Sequence, residues 1–141
     1  MALALKPSKV RVIAVEPLWE GASSCALHAE ATFRSTLEQL ELPAGSIPAV
    51  GLFDVLEHIE NPYSLLSEVN RVLEPSGLFF VTVPSFSFLW SHQDVALGHF
   101  RRYSKGKLNE ELTAAGFEVL SAKYIFTTLV FPAFLLRSVP Y

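Results

Sequence analysis

The sequence predicts an α/β domain, a three-layer sandwich in which helices cover a mostly parallel sheet. Three observations carry this. Short apolar runs alternate with segments whose apolar residues recur at helical spacing. The runs are rich in β-branched and aromatic residues and show little alternation, as strands buried on both faces do. Polar residues stand just past the ends of the runs, Asp54 above all, and open parallel sheets handle ligands at that edge.

The strands are expected, in chain order, at Val10–Val15, Ala31–Arg34, Ala49–Phe53, Leu78–Val83 and Phe117–Phe126. Glu16-Pro17 ends the first, and Leu18 to His28 reads as a short helix interrupted by Gly21. After the second strand come Ser35, Thr36 and Leu37, and Pro43-Ala44-Gly45-Ser46 reads as a turn. Beyond Phe53, a helical turn would set Asp54, Glu57 and His58 at i, i+3 and i+4, two carboxylates and an imidazole on one face. Asn61-Pro62 reads as a helix start, with Asn as cap and Pro in the first helical position. Leu65, Leu66, Val69, Val72 and Leu73 then recur at helical spacing until Pro75-Ser76-Gly77. Leu78 to Val83 is almost wholly apolar and is expected in the interior. Pro84 to Tyr103 is a long irregular segment holding His92, Asp94, His99, Arg101, Arg102 and Tyr103, and a loop of that length is usually a lid or a binding loop. Ser104 caps a further helix with Leu108 and Leu112 on its apolar side and Gly116 as its stop.

Composition narrows the function classes. A chain of 141 residues, half of them hydrophobic, is long enough for one domain with a real core. A net charge of −3 and no basic tract argue against nucleic acid as a partner. The single cysteine, Cys25, excludes an intrachain disulfide and a cysteine-cluster zinc site. The amino terminus lacks the basic start and apolar core of a signal peptide, so a cytoplasmic protein is expected. The apolar run from Tyr124 to Leu136 is shorter than the roughly 20 residues a membrane span needs, and no transmembrane segment is expected.

The stretch Val50 to Ile59, with Asp-Val-Leu-Glu-His at its centre, resembles the fourth strand and following turn of class I S-adenosylmethionine-dependent methyltransferases. The small-molecule group, whose members often read D-x-L-E-H there, is the nearest flavour. The resemblance runs from about Val10 to about Leu136, supported by the Asn-Pro helix start and by Arg71-Val-Leu-Glu-Pro-Ser-Gly77 before the next strand. It implies a Rossmann-like fold and S-adenosyl-L-methionine as cofactor. It implies that Glu16 accepts from the ribose hydroxyls, that Thr36 and Leu37 approach the adenine, and that Phe53 and Asp54 line the methionine side. The family commonly has Asp where Thr36 stands. His58 is the general-base candidate, since imidazole titrates near neutral pH, with a structural histidine as the plain alternative. His92, His99, Arg101, Arg102 and Tyr103 would receive an anionic or hydroxylated small-molecule acceptor, unless they form an ordinary charge cluster. The tail from Tyr124 could turn the pocket toward a lipid-linked or prenylated acceptor, or simply pack the core. Some ubiquinone-pathway O-methyltransferases of the family hold a divalent metal on a carboxylate-x-x-Glu-His group. Asp54, Glu57 and His58 match that pattern, with Asp in place of the usual Glu, but no metal is the first expectation.

The family also opens with a strand and a G-x-G turn, and no G-x-G occurs in this sequence. We therefore expect residues 1–141 to be one incomplete methyltransferase domain, N-terminally truncated so that its first strand and Gly-rich turn are absent, with a lid at 84–103 and an apolar segment at 124–141. The competing class is an inactive remnant or accessory module of the same fold that binds no cofactor. A nicotinamide-dependent reductase would need G-x-G-x-x-G after its first strand, which is absent.

Overall fold

The computed structural model describes residues 10–137. The chain divides after Pro43 into two compact units.

In the first unit, β1 (Ile13–Val15) lies parallel to β2 (Ala31–Phe33), with Ile13 opposite Ala31 and Val15 opposite Phe33. The two are joined through α1 (Trp19–Cys25), as parallel neighbours need a crossover connection. Gly21 has a packing reason. A Cβ there would lie 2.7 Å from the Glu16 side chain, which folds over the helix start. Leu37 precedes a single 3₁₀ turn, Glu38–Leu40.

In the second unit, β3 (Ile47–Phe53) pairs in parallel with β4 (Leu73–Thr82). The connecting helix α2 (Tyr63–Val72) starts one residue later than expected: Asn61 Oδ1 accepts from Tyr63 N–H at 3.3 Å, and Pro62 is the cap. Strand β4 begins directly after α2, earlier than Leu78. The pairing jumps from Ile47–Leu73 to Ala49–Leu78, so Glu74–Gly77 loops out of the ladder. Ser76 takes φ +66, and a Cβ on Gly77 would meet the Glu74 carbonyl oxygen at 2.9 Å. The close approach of two backbones is what requires glycine there.

Helix α4 (Lys105–Ala114) is capped by Ser104, whose Oγ accepts from Lys107 N–H at 3.2 Å. It ends as the sequence suggests. Gly116, at φ +91, donates to Thr113 O and Phe117 N–H to Leu112 O, both at 3.0 Å, which is the Schellman pattern. Leu56, Leu66, Tyr103 and Leu112 form the buried core, with Leu52, Phe79 and Val81 of the sheet and Leu65 and Leu108 of the helices packed on it.

Two expectations are corrected. Strand β4 is not interior on both faces: Phe79 and Val81 turn to the core, whereas Leu78 and Phe80 are 48% and 53% exposed. Within this unit the helices cover one face of the two-stranded sheet, so an apolar run here did not mean burial on both sides. Phe117–Phe126 is not a strand. Its alternation is real, since Phe117 and Val119 pack on the core while Leu120 is exposed, but no described strand supplies a ladder for its backbone. Periodicity reports that two faces differ; a strand also needs a neighbour.

The segment 84–103 is less irregular than expected. It holds a 3₁₀ turn, Ser87–Leu89, and α3 (His92–Ala96), and Ser85 pairs with Tyr103 as an isolated parallel bridge. The tail forms a 3₁₀ turn at Thr127–Leu129 and then α5 (Val130–Arg137), Pro132 falling in its first turn. No helix among the described residues is long and apolar enough to cross a membrane.

Candidate functional site

The site is built at the carboxyl end of β3. Asp54 takes φ +54, a left-handed conformation that Asp tolerates better than most residues. Its N–H donates to Thr82 O at 3.0 Å, and its Oδ1 accepts from Thr82 Oγ1 at 3.2 Å, so it continues the pairing with β4 for one more residue. Phe53 beside it is 64% exposed, its ring lying back over Gly51, where a Cβ would come within 2.7 Å of it.

After the kink at Asp54 the chain makes one 3₁₀ turn, Leu56–His58. Leu56 is fully buried and anchors the turn in the core; Glu57, at 1% exposure, goes in with it; His58 stays exposed. The expected helical face of Asp54, Glu57 and His58 therefore does not form. The positive φ at Asp54 turns its side chain toward Thr82, and the 3₁₀ turn separates Glu57 from it in direction.

Residues 84–103 fold back onto this turn. Phe100 N–H donates to Glu57 O at 2.7 Å, and Arg101 Nη2 to Glu60 O at 2.6 Å. The fold-back is organised by Asp94, which is fully buried. Asp94 and Ser91 form a capping box at the start of α3, with Ser91 N–H donating to Asp94 Oδ2 at 2.9 Å. Oδ1 of Asp94 takes Arg102 at 2.8 Å and His99 Nδ1 at 3.1 Å. Burial alone would raise the Asp94 carboxyl; the hydrogen bonds from Arg102, Ser91 and His99 outweigh it and hold the group well below the usual carboxylate range. His99 so placed meets His58 edge to face, ring centroids 4.6 Å apart. Donor atoms of Glu57, His58 and His99 all lie within 4.8 Å of one another. Burial pushes the Glu57 carboxyl up, and the charge of nearby Asp54 adds to that.

The five residues expected to face an acceptor thus divide. His99 joins the cluster. Arg101 is half-buried and tied to Glu60 O. Arg102 is committed to Asp94 and to Ser85 O, at 2.9 Å. Tyr103 is 1% exposed in the core, its hydroxyl donating to Glu111 Oε2 at 3.2 Å; burial, then the Glu111 charge, push its phenol up to about 12. His92 opens α3, exposed and outside the cluster. Arg102 and Tyr103 are thus both engaged within the protein, on Asp94 and Ser85 O and on Glu111 respectively. Asp94 was not among the expected site residues, yet Ser91-x-x-Asp94 is a capping-box spacing legible in the sequence.

Of the residues expected on the cofactor, Glu16 sits just past β1, its N–H donating to Phe33 O at 3.0 Å and its Oε1 accepting from Leu18 N–H at 2.9 Å. Thr36 and Leu37 are half-buried, and Thr36 N–H donates to Gln39 Oε1 at 3.1 Å. The aromatic tail meets the fold-back segment: Tyr124 stacks on Phe86 at 4.8 Å, and Phe134 meets Phe88 at 6.2 Å.

Comparison with known proteins agrees with this architecture. The model of the methyltransferase domain family matches residues 1–122. A probable S-adenosylmethionine-dependent methyltransferase of Mycolicibacterium smegmatis is 36% identical over 92 residues, covering 64% of this chain and 36% of that protein. One from Mycobacterium tuberculosis is 31% identical over 86 residues, covering 60% of this chain and 31% of its own length. The chain thus spans about a third of the length of the curated relatives it matches. Among solved structures, a SAM-dependent methyltransferase of Thermotoga maritima superposes with a TM-score of 0.64 at 24% identity, covering 79% of this chain and 56% of that one. Another, from Archaeoglobus fulgidus, gives 0.62 at 19% identity, covering 89% and 65%. At those identities the likeness speaks for the fold, which is Rossmann-like α/β. The match over residues 1–122 is what decides membership: this chain belongs to the methyltransferase domain family.

Proposed function

We propose that the chain carries part of the S-adenosylmethionine site of a methyltransferase that acts on a small molecule, with the acceptor approaching beneath residues 84–103. The observation that carries this is the fold-back of that segment onto the turn that follows Asp54, through Phe100 to Glu57 O and Arg101 to Glu60 O. The residues present fit the cofactor: an exposed aromatic ring, Phe53, and a carboxylate, Asp54, stand together at the end of a parallel strand. When bound, S-adenosylmethionine supplies an electrophilic methyl group on a positively charged sulfur.

The chain's own residues would then do four things. Phe53 covers apolar surface and can face a positive charge. Asp54, held by Thr82, accepts hydrogen bonds from the amino-acid part. His58, exposed beside the turn, takes a proton from the acceptor. Aromatic residues of 84–103 exclude water. In the first unit, Glu16 is the ribose acceptor by its place at the strand tip. The exposed rings of Phe88 and Phe134 favour a greasy acceptor, lipid-linked or prenylated, over a wholly polar one.

A second reading has its own observation. The sequence contains no G-x-G, the turn that lets backbone approach such a cofactor, which favours a module that binds none. Calorimetric titration of the purified chain with S-adenosylmethionine separates the two. Saturable binding that Asp54→Asn and Glu16→Ala each weaken by roughly 1–3 kcal/mol is the expected result. No heat and no thermal stabilisation at high cofactor concentration would establish the second reading.

A further inference from the structure

Glu57, His58 and His99 form a ligand set that methyl transfer does not itself require. Each offers one donor atom, and the three atoms lie within 4.8 Å of one another. Two further observations set this trio apart from an ordinary polar cluster. Glu57 is 1% exposed, and its Oε2 has no hydrogen-bond partner among the described residues, although it belongs to the side chain that enters the cluster. A buried carboxylate oxygen without a donor is rare and costly, and an ion is one of the few things that relieves it. His99 is already oriented as a metal-binding histidine is. Its Nδ1 faces the buried Asp94 carboxylate at 3.1 Å, and Asp94 is itself held by Arg102 and by the Ser91 N–H. That arrangement places the ring proton on Nδ1 and leaves the Nε2 lone pair for a ligand.

We propose that Glu57, His58 and His99 bind one borderline divalent cation, of the Zn²⁺ class, with a fourth position open to an oxygen ligand. Two imidazoles and one carboxylate suit such an ion, whereas Mg²⁺ and Ca²⁺ prefer all-oxygen sets. The set is not the carboxylate-x-x-Glu-His group that the sequence pattern suggests. Asp54 lies at φ +54 with its carboxylate on Thr82 Oγ1, outside the trio, and His99 arrives in its place from a segment more than forty positions on. The ion would therefore tie residues 84–103 to the turn at Glu57 and His58. All its ligands are supplied without the cofactor; while the ion is held, His58 ligates it and does not act as the base.

The test uses Co²⁺ as a visible substitute for Zn²⁺, added to the full, tag-free chain with no S-adenosylmethionine present. We expect one equivalent to bind, with the strong visible bands of low-coordinate Co²⁺, and Zn²⁺ to displace it. His58→Ala, at an exposed position that the fold does not need, and His99→Gln should each weaken binding at least tenfold. Asp94→Asn should weaken it about 10–100-fold through His99, and Asp54→Asn, which removes a nearby charge but no ligand, should weaken it less than His99→Gln does. The proposal is overturned if chain with a folded circular dichroism spectrum takes up no saturable Co²⁺, or if uptake survives His58→Ala and His99→Gln together. Loss in Asp54→Asn with retention in His99→Gln would overturn it in favour of the sequence-pattern set.

Discussion

Asp94 is the residue on which the geometry of the cluster depends. Its two oxygens accept from the backbone of Ser91, the guanidinium of Arg102 and the ring of His99. Because its folded-state pKa is depressed, the unfolded chain binds the proton more readily. The stabilisation it gives is therefore complete above the ordinary carboxylate range and is lost as pH falls through the lower, folded-state value. Asp94→Asn should cost about 3 kcal/mol at neutral pH, the scale for breaking a buried pair. It should also flatten the acid limb of a denaturation curve measured from pH 7 downward. A variant with wild-type stability and the same acid limb would show that Arg102 and His99 are held by something else. Chemistry at this scale was only partly legible in the sequence. The types were visible, His and Arg crowded between His92 and Tyr103, but not their division of labour. That division follows from partners rather than from depth: Tyr103 reaches Glu111, Arg102 closes on Asp94 and Ser85 O, and His99, as buried as Arg102, turns Nδ1 to Asp94 and meets the His58 ring.

Elements were more legible where their signal is local. The stop of α4 is an example: Leu112, Gly116 and Phe117 together spell a Schellman end, and the structure makes both of its hydrogen bonds. Gly116 is needed twice over, for φ +91 and because a Cβ there would lie 3.0 Å from Asn70 Nδ2. Asn70 Nδ2 donates to Ala115 O at 3.0 Å, tying α2 to the end of α4. Gly116→Ala should thus cost roughly 1–2 kcal/mol for the left-handed conformation alone, and more as Asn70 is displaced. Asn70→Ala in the same background should then cost less than it does in the wild type, because the bond is already strained. Full additivity of the two in chemical denaturation would argue against the shared contact. Elements whose evidence is non-local were misread for the same physical reason. Phe117–Phe126 alternates as a strand does, and nothing in its own residues says whether a neighbour will pair with it. The Asp54–His58 turn has helical spacing, but Leu56 is pulled fully into the core and the chain tightens to a 3₁₀ turn to allow it.

At the scale of the whole chain, burial is unevenly shared. Leu56, Leu66, Val69, Val72, Leu89, Tyr103 and Leu112 all lie after Pro43, whereas Ala22 is the buried hydrophobic residue among those described before it. In the first unit Ile13, Trp19 and Phe33 are 54%, 66% and 46% exposed. Apolar area removed from water is the main favourable term in folding, so the second unit should hold most of the stability the chain has. Native-state hydrogen exchange reads this directly. The slowest amides should be those of α2 and α4 near Leu66, Val69 and Leu112, and residues 13–33 should exchange faster by at least one order of magnitude. The β1–β2 ladder is three residues long on each side, and its hydrogen bonds open without exposing a core. Added S-adenosylmethionine would change the pattern only if it binds, slowing exchange around Glu16 and Asp54 more than in the core helices. Equal protection in the two units without any ligand would mean that the exposed apolar groups of residues 13–33 are covered in solution.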